Sequence, residues 1–487
     1  MKEASNKEAI SGSEGISGRE ESSGKGAISG RKGSSGSGAI SGSGALSRRG
    51  FMEAAVTAGV AGAAIPFLLS GCSGPGPEVE VPIFLDQAPD GPLLAAGLVG
   101  CGGRGTGAAL DFLNAGPNLK ITALGDVFPD RVDACRERLN RDMGQEIPEE
   151  SCFVGFDAYE KVLDSGVDVV IMATPPFFRP EHFAAAVDAR KHVFMEKPVC
   201  VDPTGARSVI VAARKAEGLG LSVVTGTQRR HQRDYVATYK EVAQGRIGEL
   251  VSATCYWNQG KLWHRDPNPA WTEMEYMIRD WVNWCWLSGD HIVEQHIHNL
   301  DVIHWFMGAY PVSAVGFGSR HRRVTGDQFD NFSVDYVLED GRHFHSMCRQ
   351  IDGCIDNISE RVQGTKGWSN CQNLVADHAG NELWTYEYPP DEAGNPTASV
   401  KVGPFQQEHI DLVTAIRTER PVNEAEATAM STLVAIMGRI SAYTGRTVTL
   451  EEVMNSDLRL GPKVFAFGPV DIPKGVPVPG QPYVART

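Results

Sequence analysis

Apolar positions change their spacing part-way along the chain, and the change divides it. Residues 93–99 form a continuous apolar run that meets a glycine, the pattern of a central parallel strand buried on both faces. Behind it strand and helix signals alternate: helix at 108–114, strand at 120–125, helix at 131–141, strand at 168–173, helix at 181–189, strand at 192–195, helix at 204–217 and strand at 221–225. Such an order predicts a doubly wound sheet over residues 93–225. After about residue 245 the strands lengthen, at 250–257, 312–319, 331–338 and 342–349, which predicts an antiparallel or mixed sheet in a second domain over 226–460. Residues 405–444 read as helical again, and a Pro-rich tail over 461–487 is expected to wrap the surface. The fold class is therefore α/β, a doubly wound first domain followed by an α+β domain with a large mixed or antiparallel sheet.

Ahead of this body lies a different kind of sequence. The first 46 residues are Ser/Gly-rich, with Ala-Ile-Ser-Gly recurring at Ala9, Ala27 and Ala39, and they offer little to bury, so disorder is expected. Ser47-Arg48-Arg49-Gly50-Phe51-Met52 then precedes a short apolar segment over 54–69 and the small-residue run Leu69-Ser70-Gly71-Cys72. This resembles a twin-arginine export signal with a lipoprotein cleavage site over 47–72, and implies lipidation at Cys72. The expected location is outside the cytoplasm, periplasmic or membrane-anchored through Cys72, with 73–92 as the linker. An export route that carries folded proteins would let an enzyme load its cofactor before crossing.

Length and charge narrow the partners. The 487 residues suffice for two compact cores, since one core stops growing at roughly 250–300 residues. A formal charge of −14 repels polyphosphates, and no basic stripe interleaved with aromatics occurs, so no nucleic-acid partner is expected and the ligand should be small. Ten cysteines show neither C-x-x-C pairs nor zinc-type spacing and read as mostly buried thiols.

Gly100-Cys101-Gly102-Gly103-Arg104-Gly105 fits G-x-G-x-x-G at the point where the buried strand hands over to a helix. Glycines there permit a tight turn and let a pyrophosphate reach backbone amides at the positive end of the helix. Asp126 stands 21 residues after Gly105, at the end of the second strand, where a carboxylate can hold the adenosine ribose diol. These features predict a Rossmann dinucleotide-binding domain, and the acid favours NAD over NADP, although Arg131 lies close by.

Three further segments make residues 93–455 resemble the Gfo/Idh/MocA oxidoreductase family, named for glucose-fructose oxidoreductase and inositol dehydrogenase. Ala173-Thr174-Pro175-Pro176 with His182 downstream is similar to the family's loop beside the nicotinamide ribose. Met195-Glu196-Lys197-Pro198 is similar to its lysine motif, and Gln228-Arg229-Arg230 follows the next strand as in the family. Residues 289–305 resemble its second-domain helix, in which an acid and a histidine four residues later face the substrate; Glu294 stands here where the family usually has aspartate. The resemblance implies Gly100, Gly102, Arg104, Gly105, Asp126, Thr174, Pro175, His182, Glu196 and Gln228 at the cofactor. It also implies a homo-oligomer paired through the second-domain sheet.

Chemistry assigns the remaining roles. Alcohol oxidation by hydride transfer needs a proton acceptor working near neutral pH, for which histidine is suited. On a helix over 290–306, Glu294 and His298 would share a face, with His291 and Asp301 one turn away on either side. His298 is the expected acid/base, Lys197 the charge that holds the reacting hydroxyl, and Glu294 a second hydroxyl ligand. Arg230, Trp284, His291 and Asp301 are further substrate candidates. Six of the nine tryptophans fall within residues 257–286, a wall able to stack on sugar rings or equally to fill a core. The spacing His291-x-x-Glu294-x-His296-x-His298 fits no zinc motif, and no metal is expected. The reading is an NAD-dependent oxidoreductase acting on a secondary hydroxyl of a sugar or polyol. NAD-recycling glycoside cleavage is a second enzymatic reading and a non-catalytic exported binding protein a third.

Overall fold

The computed structural model describes residues 82–391 and 393–481; the leader, the export signal and Cys72 lie outside the described residues. Six strands form the first sheet: β1 (Leu94–Val99), β2 (Leu119–Asp126), β3 (Cys152–Val154), β4 (Val169–Met172), β5 (His192–Met195) and β6 (Val223–Thr225). Their order is β3-β2-β1-β4-β5-β6, and all the pairings are parallel. Strand β4 is buried at all four positions, as a strand covered by helices on both faces must be. Gly97 in β1 is required by that cover, because a Cβ there would lie 2.4 Å from a methyl of Val162. Val162 belongs to the helix Ala158–Asp164, which together with β3 was absent from the sequence pattern. Strand β3 spans three residues with none buried, too short and too wet to leave a hydrophobic signature.

The second sheet has nine strands: β7 (Leu250–Gln259), β8 (Ser313–Ser319), β9 (Asn331–Val337), β10 (His343–Gln350), β11 (Asn357–Gly364), β12 (Gly367–Ser369), β13 (Leu374–Asp377), β14 (Glu382–Thr385) and β15 (Val448–Thr449). They lie in the order β14-β13-β12-β11-β7-β10-β9-β8-β15. The pair β7 and β10 is parallel and the other neighbours are antiparallel, so the sheet is mixed, as expected. Its inner face alternates strictly, with Phe344, Ser346, Cys348 and Gln350 of β10 buried and their neighbours partly exposed. Against that face pack Ile297–Met307 and the 20-residue helix Ala425–Thr444, which is buried nearly all round because it lies between the sheet and the first-domain helix Pro203–Gly218. Gly438 permits this: a Cβ would lie 2.1 Å from the Tyr336 hydroxyl.

The chain then returns to the first domain. Helix Pro404–Arg417 buries Ile410, Leu412 and Val413 in the core shared with β1 and β2, and residues 422–424 extend the edge of β6 through Val223 N–H to Val422 O and Glu424 N–H to Val223 O. The tail over 461–481 lays Phe465 against Phe177 and Phe178, and Phe467 against Phe128 and Phe156, all of the first domain. Among the described residues no helix is long and apolar enough to cross a membrane.

Candidate active site

The glycine turn is built by exclusion. A Cβ on Gly105 would sit 1.8 Å from the Gly100 carbonyl oxygen, and one on Gly100, at φ +97°, would sit 2.6 Å from the backbone joining Ala173 and Thr174. Helix Gly103–Leu113 starts at Gly102 with no side-chain cap, so its first N–H groups face outward, and nothing lies within 4 Å of a Cβ placed on Gly103. A cleft of about 460 Å³ lies over these amides and is lined by Gly100, Gly102, Arg104, Gly105, Asp126, Thr174, Pro175 and His182 among others. Unblocked amides at a helix start facing a cleft of this size fit a dinucleotide pyrophosphate. Both Asp126 oxygens accept backbone N–H groups, from Cys101 at 2.8 Å and Phe128 at 3.0 Å, which braces the turn. Burial outweighs these bonds and raises the Asp126 pKa. His182 stacks under Tyr159 at 4.1 Å with its Nδ1 3.4 Å from Thr174 Oγ1, and burial pushes it down to about 3, so the ring is neutral.

Over the cleft stands a roof to which the tryptophan-rich segment contributes Trp263 and Trp281. Trp263, Arg265, Ile278, Arg279 and Trp281, all from the second domain, complete its lining. Arg279 crosses to the first domain, where its two terminal nitrogens donate to the Asp130 carboxylate at 3.1 and 2.8 Å and its guanidinium lies 3.8 Å above the Phe128 ring.

Lys197 leaves the carboxyl end of β5 and meets the second domain. Its Nζ donates to the Glu294 carbonyl oxygen at 2.6 Å and to Glu294 Oε1 at 3.1 Å. The helix expected over 290–306 is in fact two, His291–Glu294 and Ile297–Met307. At the break His296 N–H reaches back five residues to His291 O (3.1 Å), and His298 N–H bonds Gln295 O (3.3 Å). In a regular helix His298 would bond Glu294 O; the wider turn leaves that carbonyl to the lysine. Burial, then the Lys197 charge, hold the His298 pKa well below the ordinary value, and its ring stacks on Trp257 at 5.6 Å. Its Nδ1 and Glu294 Oε2 are both buried without a hydrogen-bond partner among the described residues. Buried polar atoms are rarely left without a partner, so both are candidates to meet a ligand.

Other candidates take different positions. Glu196 does not line the cleft: one oxygen accepts Arg104 Nε at 2.5 Å and the other faces the Lys197 N–H at 3.2 Å. Arg104 and Glu196, both expected to meet the cofactor, thus hold each other, and Gly226 leaves room for the acid, since a Cβ would lie 2.6 Å from Glu196 Oε2. Arg230 and Asp301, expected at the substrate, instead hold each other in an ion pair whose acid is buried. Arg230 donates to both Asp301 oxygens, at 2.7 and 3.0 Å, Ser431 donates at 2.8 Å, and Asp301 is 1% exposed. A carboxylate that deep needs its counter-charge and has no oxygen to spare. His291 is likewise turned into the core, with Nδ1 3.0 Å from Asp290 Oδ1 and its ring against Phe332. Trp284 sits edge-on to Tyr276 with its indole N–H buried and unpartnered, and Gln228 opens the short turn Gln228–His231 with Oε1 unpartnered; neither lines the cleft. Sequence reasoning missed Gln259 and Gln295, hydrogen-bonded to each other at 2.8 Å beside Trp257, because two distant segments, β7 and the helix break, assemble them.

A dinucleotide cleft on one domain, closed by a second domain that brings an acid to a strand-end lysine, is the arrangement of a two-domain dinucleotide-binding protein. Residues 94–224 match the family described as "Oxidoreductase family, NAD-binding Rossmann fold" and residues 235–369 match the "GFO/IDH/MocA C-terminal domain". The chain belongs to the Gfo/Idh/MocA family, and its first domain is of the NAD-binding kind. Among known proteins it is similar to 2,7-anhydro-N-acetylneuraminate hydratase of Escherichia coli K12, 26% identical over 238 residues that make up 48% of this chain and 55% of that protein. Inositol 2-dehydrogenase of Rhizobium meliloti is 26% identical over 282 residues, 57% of this chain and 75% of that protein. The first of these alignments therefore spans little more than half of its relative. Scyllo-inositol dehydrogenase from Lactobacillus casei, solved with NAD(H) and scyllo-inositol, shares the fold at a TM-score of 0.53 and 19% identity, covering 74% of this chain and 99% of that one. Aldose-aldose oxidoreductase from Caulobacter crescentus does so at 0.57 and 19%, covering 73% and 99%.

Proposed function

We propose that the protein oxidises a secondary hydroxyl of a sugar or polyol with NAD, and reduces the corresponding ketone in reverse. The observation that carries this reading is the meeting of Lys197 with Glu294, four residues before His298, whose Nδ1 is buried without a hydrogen-bond partner among the described residues. When bound, NAD supplies the hydride-accepting ring. Neutral His298 takes the hydroxyl proton, and the Lys197 ammonium donates a hydrogen bond to the oxygen as negative charge grows on it. The free Glu294 Oε2 accepts from a neighbouring hydroxyl and so fixes which carbon faces the ring. The dehydrogenase relatives and the two domains of the family support the assignment. Absorbance at the reduced-cofactor band, followed with NAD and myo-inositol, scyllo-inositol or aldoses, tests it; no reduction of NAD by any of them overturns it.

The depressed pKa of His298 fixes the pH dependence. The base must be unprotonated for oxidation, and its folded-state pKa lies below the ordinary histidine value, so kcat/KM stays level through neutral pH and falls only at more acid pH than a free imidazole would dictate. Lys197→Met removes one of the two leading causes of the shift. The His298 ring protons in that variant should titrate at higher pH by NMR, and an unmoved titration contradicts the proximity.

Export and self-association belong to the same proposal. The order Arg48-Arg49, apolar segment, Cys72 supports a mature chain lipidated at Cys72, and Val315 and Phe317, exposed at 39% and 72% on the outer face of β8, support pairing through the second sheet. Native mass spectrometry of protein isolated from membranes checks both: the expected mass is a small multiple of a diacylated chain starting at residue 72, and a monomer retaining its leader contradicts both.

A further inference from the structure

Behind the roof of the dinucleotide cleft lies a second cavity of about 550 Å³. The two share a wall: in residues 262–265 Trp263 and Arg265 line the cleft, while Leu262 and His264 line the cavity. Its remaining lining is unusually basic for a chain of net charge −14. Lys261, Arg322 and Arg323 face the cavity against a single carboxylate, Asp352, whose Oδ2 lies 3.7 Å from Lys261 Nζ.

The loop that presents the arginines is held rigid. Asp330 Oδ2 accepts the backbone N–H groups of His321, Arg322 and Arg323 at 2.8, 2.5 and 3.2 Å. Arg320 donates to the carbonyl oxygens of Arg323, Thr325 and Gly326 at 3.1, 3.2 and 2.6 Å, and so ties the loop across its base. Arg323 is fixed by Phe329 O (2.8 Å), Asn283 Oδ1 (2.9 Å) and the Gln350 amide oxygen. Arg323 is thus a fixed cation that needs no reorganisation to receive a charge, while Lys261 and Arg322 stand exposed at the mouth.

A chain of hydrogen-bonded glutamines links the lining of the cavity to the segment that carries Glu294 and His298. Gln350, in its lining, donates to Gln295 Oε1 at 3.5 Å, and Gln295 separates Glu294 from the turn that carries His298. Gln259 donates to the same oxygen at 2.8 Å and accepts from Trp257, on whose ring His298 stacks.

We propose that this cavity seats an anionic group, a carboxylate or a phosphate, carried by the substrate at the end away from the oxidised carbon. The inference names the substrate class of the site described above and rests on that reading. Lys261 and Arg322 attract and hold the anion at the mouth, Arg323 meets it deeper, and the neutral end of the molecule reaches Lys197 and His298 past Gln295.

The test uses the full chain loaded with NAD, and D-glucose, D-glucuronate and D-glucose 6-phosphate as probes. One of the two anions should exceed glucose in kcat/KM by at least about tenfold, chiefly through KM, and which of them does so distinguishes carboxylate from phosphate. The advantage should shrink as salt is raised from about 0.05 M to about 0.5 M. The double variant Lys261→Ala/Arg322→Ala should abolish the preference, and Arg322→Lys alone should retain most of it. Both positions are solvent-facing, and an unchanged melting temperature verifies that the variants are folded. Equal use of all three probes by the wild type, or a preference that survives the double variant, overturns the proposal. Should no probe reduce NAD, calorimetric titration of glucuronate and glucose 6-phosphate still decides: binding lost in the double variant upholds the anion site while the dehydrogenase reading fails, and no binding overturns the site.

Discussion

Lys197→Met should lower kcat for alcohol oxidation by about 10³-fold, while the affinity for NAD changes by no more than a few-fold. The magnitude is that of removing one fixed donor from an oxygen on which charge develops in a water-poor site, about 10²–10³ in rate. The loss of a partner for the Glu294 carbonyl, which the broken helix leaves to the lysine, adds to it. Methionine keeps the length and apolar stem of the side chain, so the strand end and the Glu196 contact to Arg104 should persist. NAD binding followed by fluorescence titration separates the two effects. A variant with near-wild-type kcat, or one that loses NAD affinity in proportion to activity, would show that the amine belongs to the scaffold and not to the reaction.

Gly105→Ala should abolish dinucleotide binding and lower the melting temperature as well. Its Cβ would meet the Gly100 carbonyl oxygen at 1.8 Å, and since the obstacle is backbone no side-chain rotation can relieve it. Helix Gly103–Leu113 must withdraw from the turn, at a cost of about 1–3 kcal/mol or more for overpacking. The amides at its start then lose their aim. Gly103→Ala is the contrasting variant: nothing lies within 4 Å of its Cβ, so folding should be unaffected, and any loss of NAD affinity reports crowding of the bound pyrophosphate alone. Thermal melts with and without NAD distinguish the two positions. An equal fall in melting temperature for both variants would mean that the turn does not pack as described.

Arg230 and Asp301 show why some site assignments were not legible in the sequence. Both fall in segments that face the candidate site, and helical spacing placed Asp301 one turn from His298. What spacing could not reveal was that each would neutralise the other inside the protein, across 71 positions of sequence. The same holds for Glu196 and Arg104, 92 positions apart. A charged residue near a site is free for substrate only if no nearer charge claims it, and that depends on folding.

Local sequence did determine the parts whose physics is local. A two-sided apolar strand, glycines at the strand-to-helix turn and an acid at the next strand end mark a dinucleotide turn within some thirty residues of sequence, although the backbone that demands Gly100 comes from Ala173 and Thr174. Lys197 could be placed at the sheet's carboxyl edge because strand order in a doubly wound sheet follows from right-handed connections. Tertiary structure decided the rest. It broke the second-domain helix at Gln295, carried Arg279 across to Asp130 as a roof, and returned residues 404–424 to the first sheet. Each of these depends on surfaces that meet only after the two domains pack, where burial and charge pairing outweigh the propensity of any single segment.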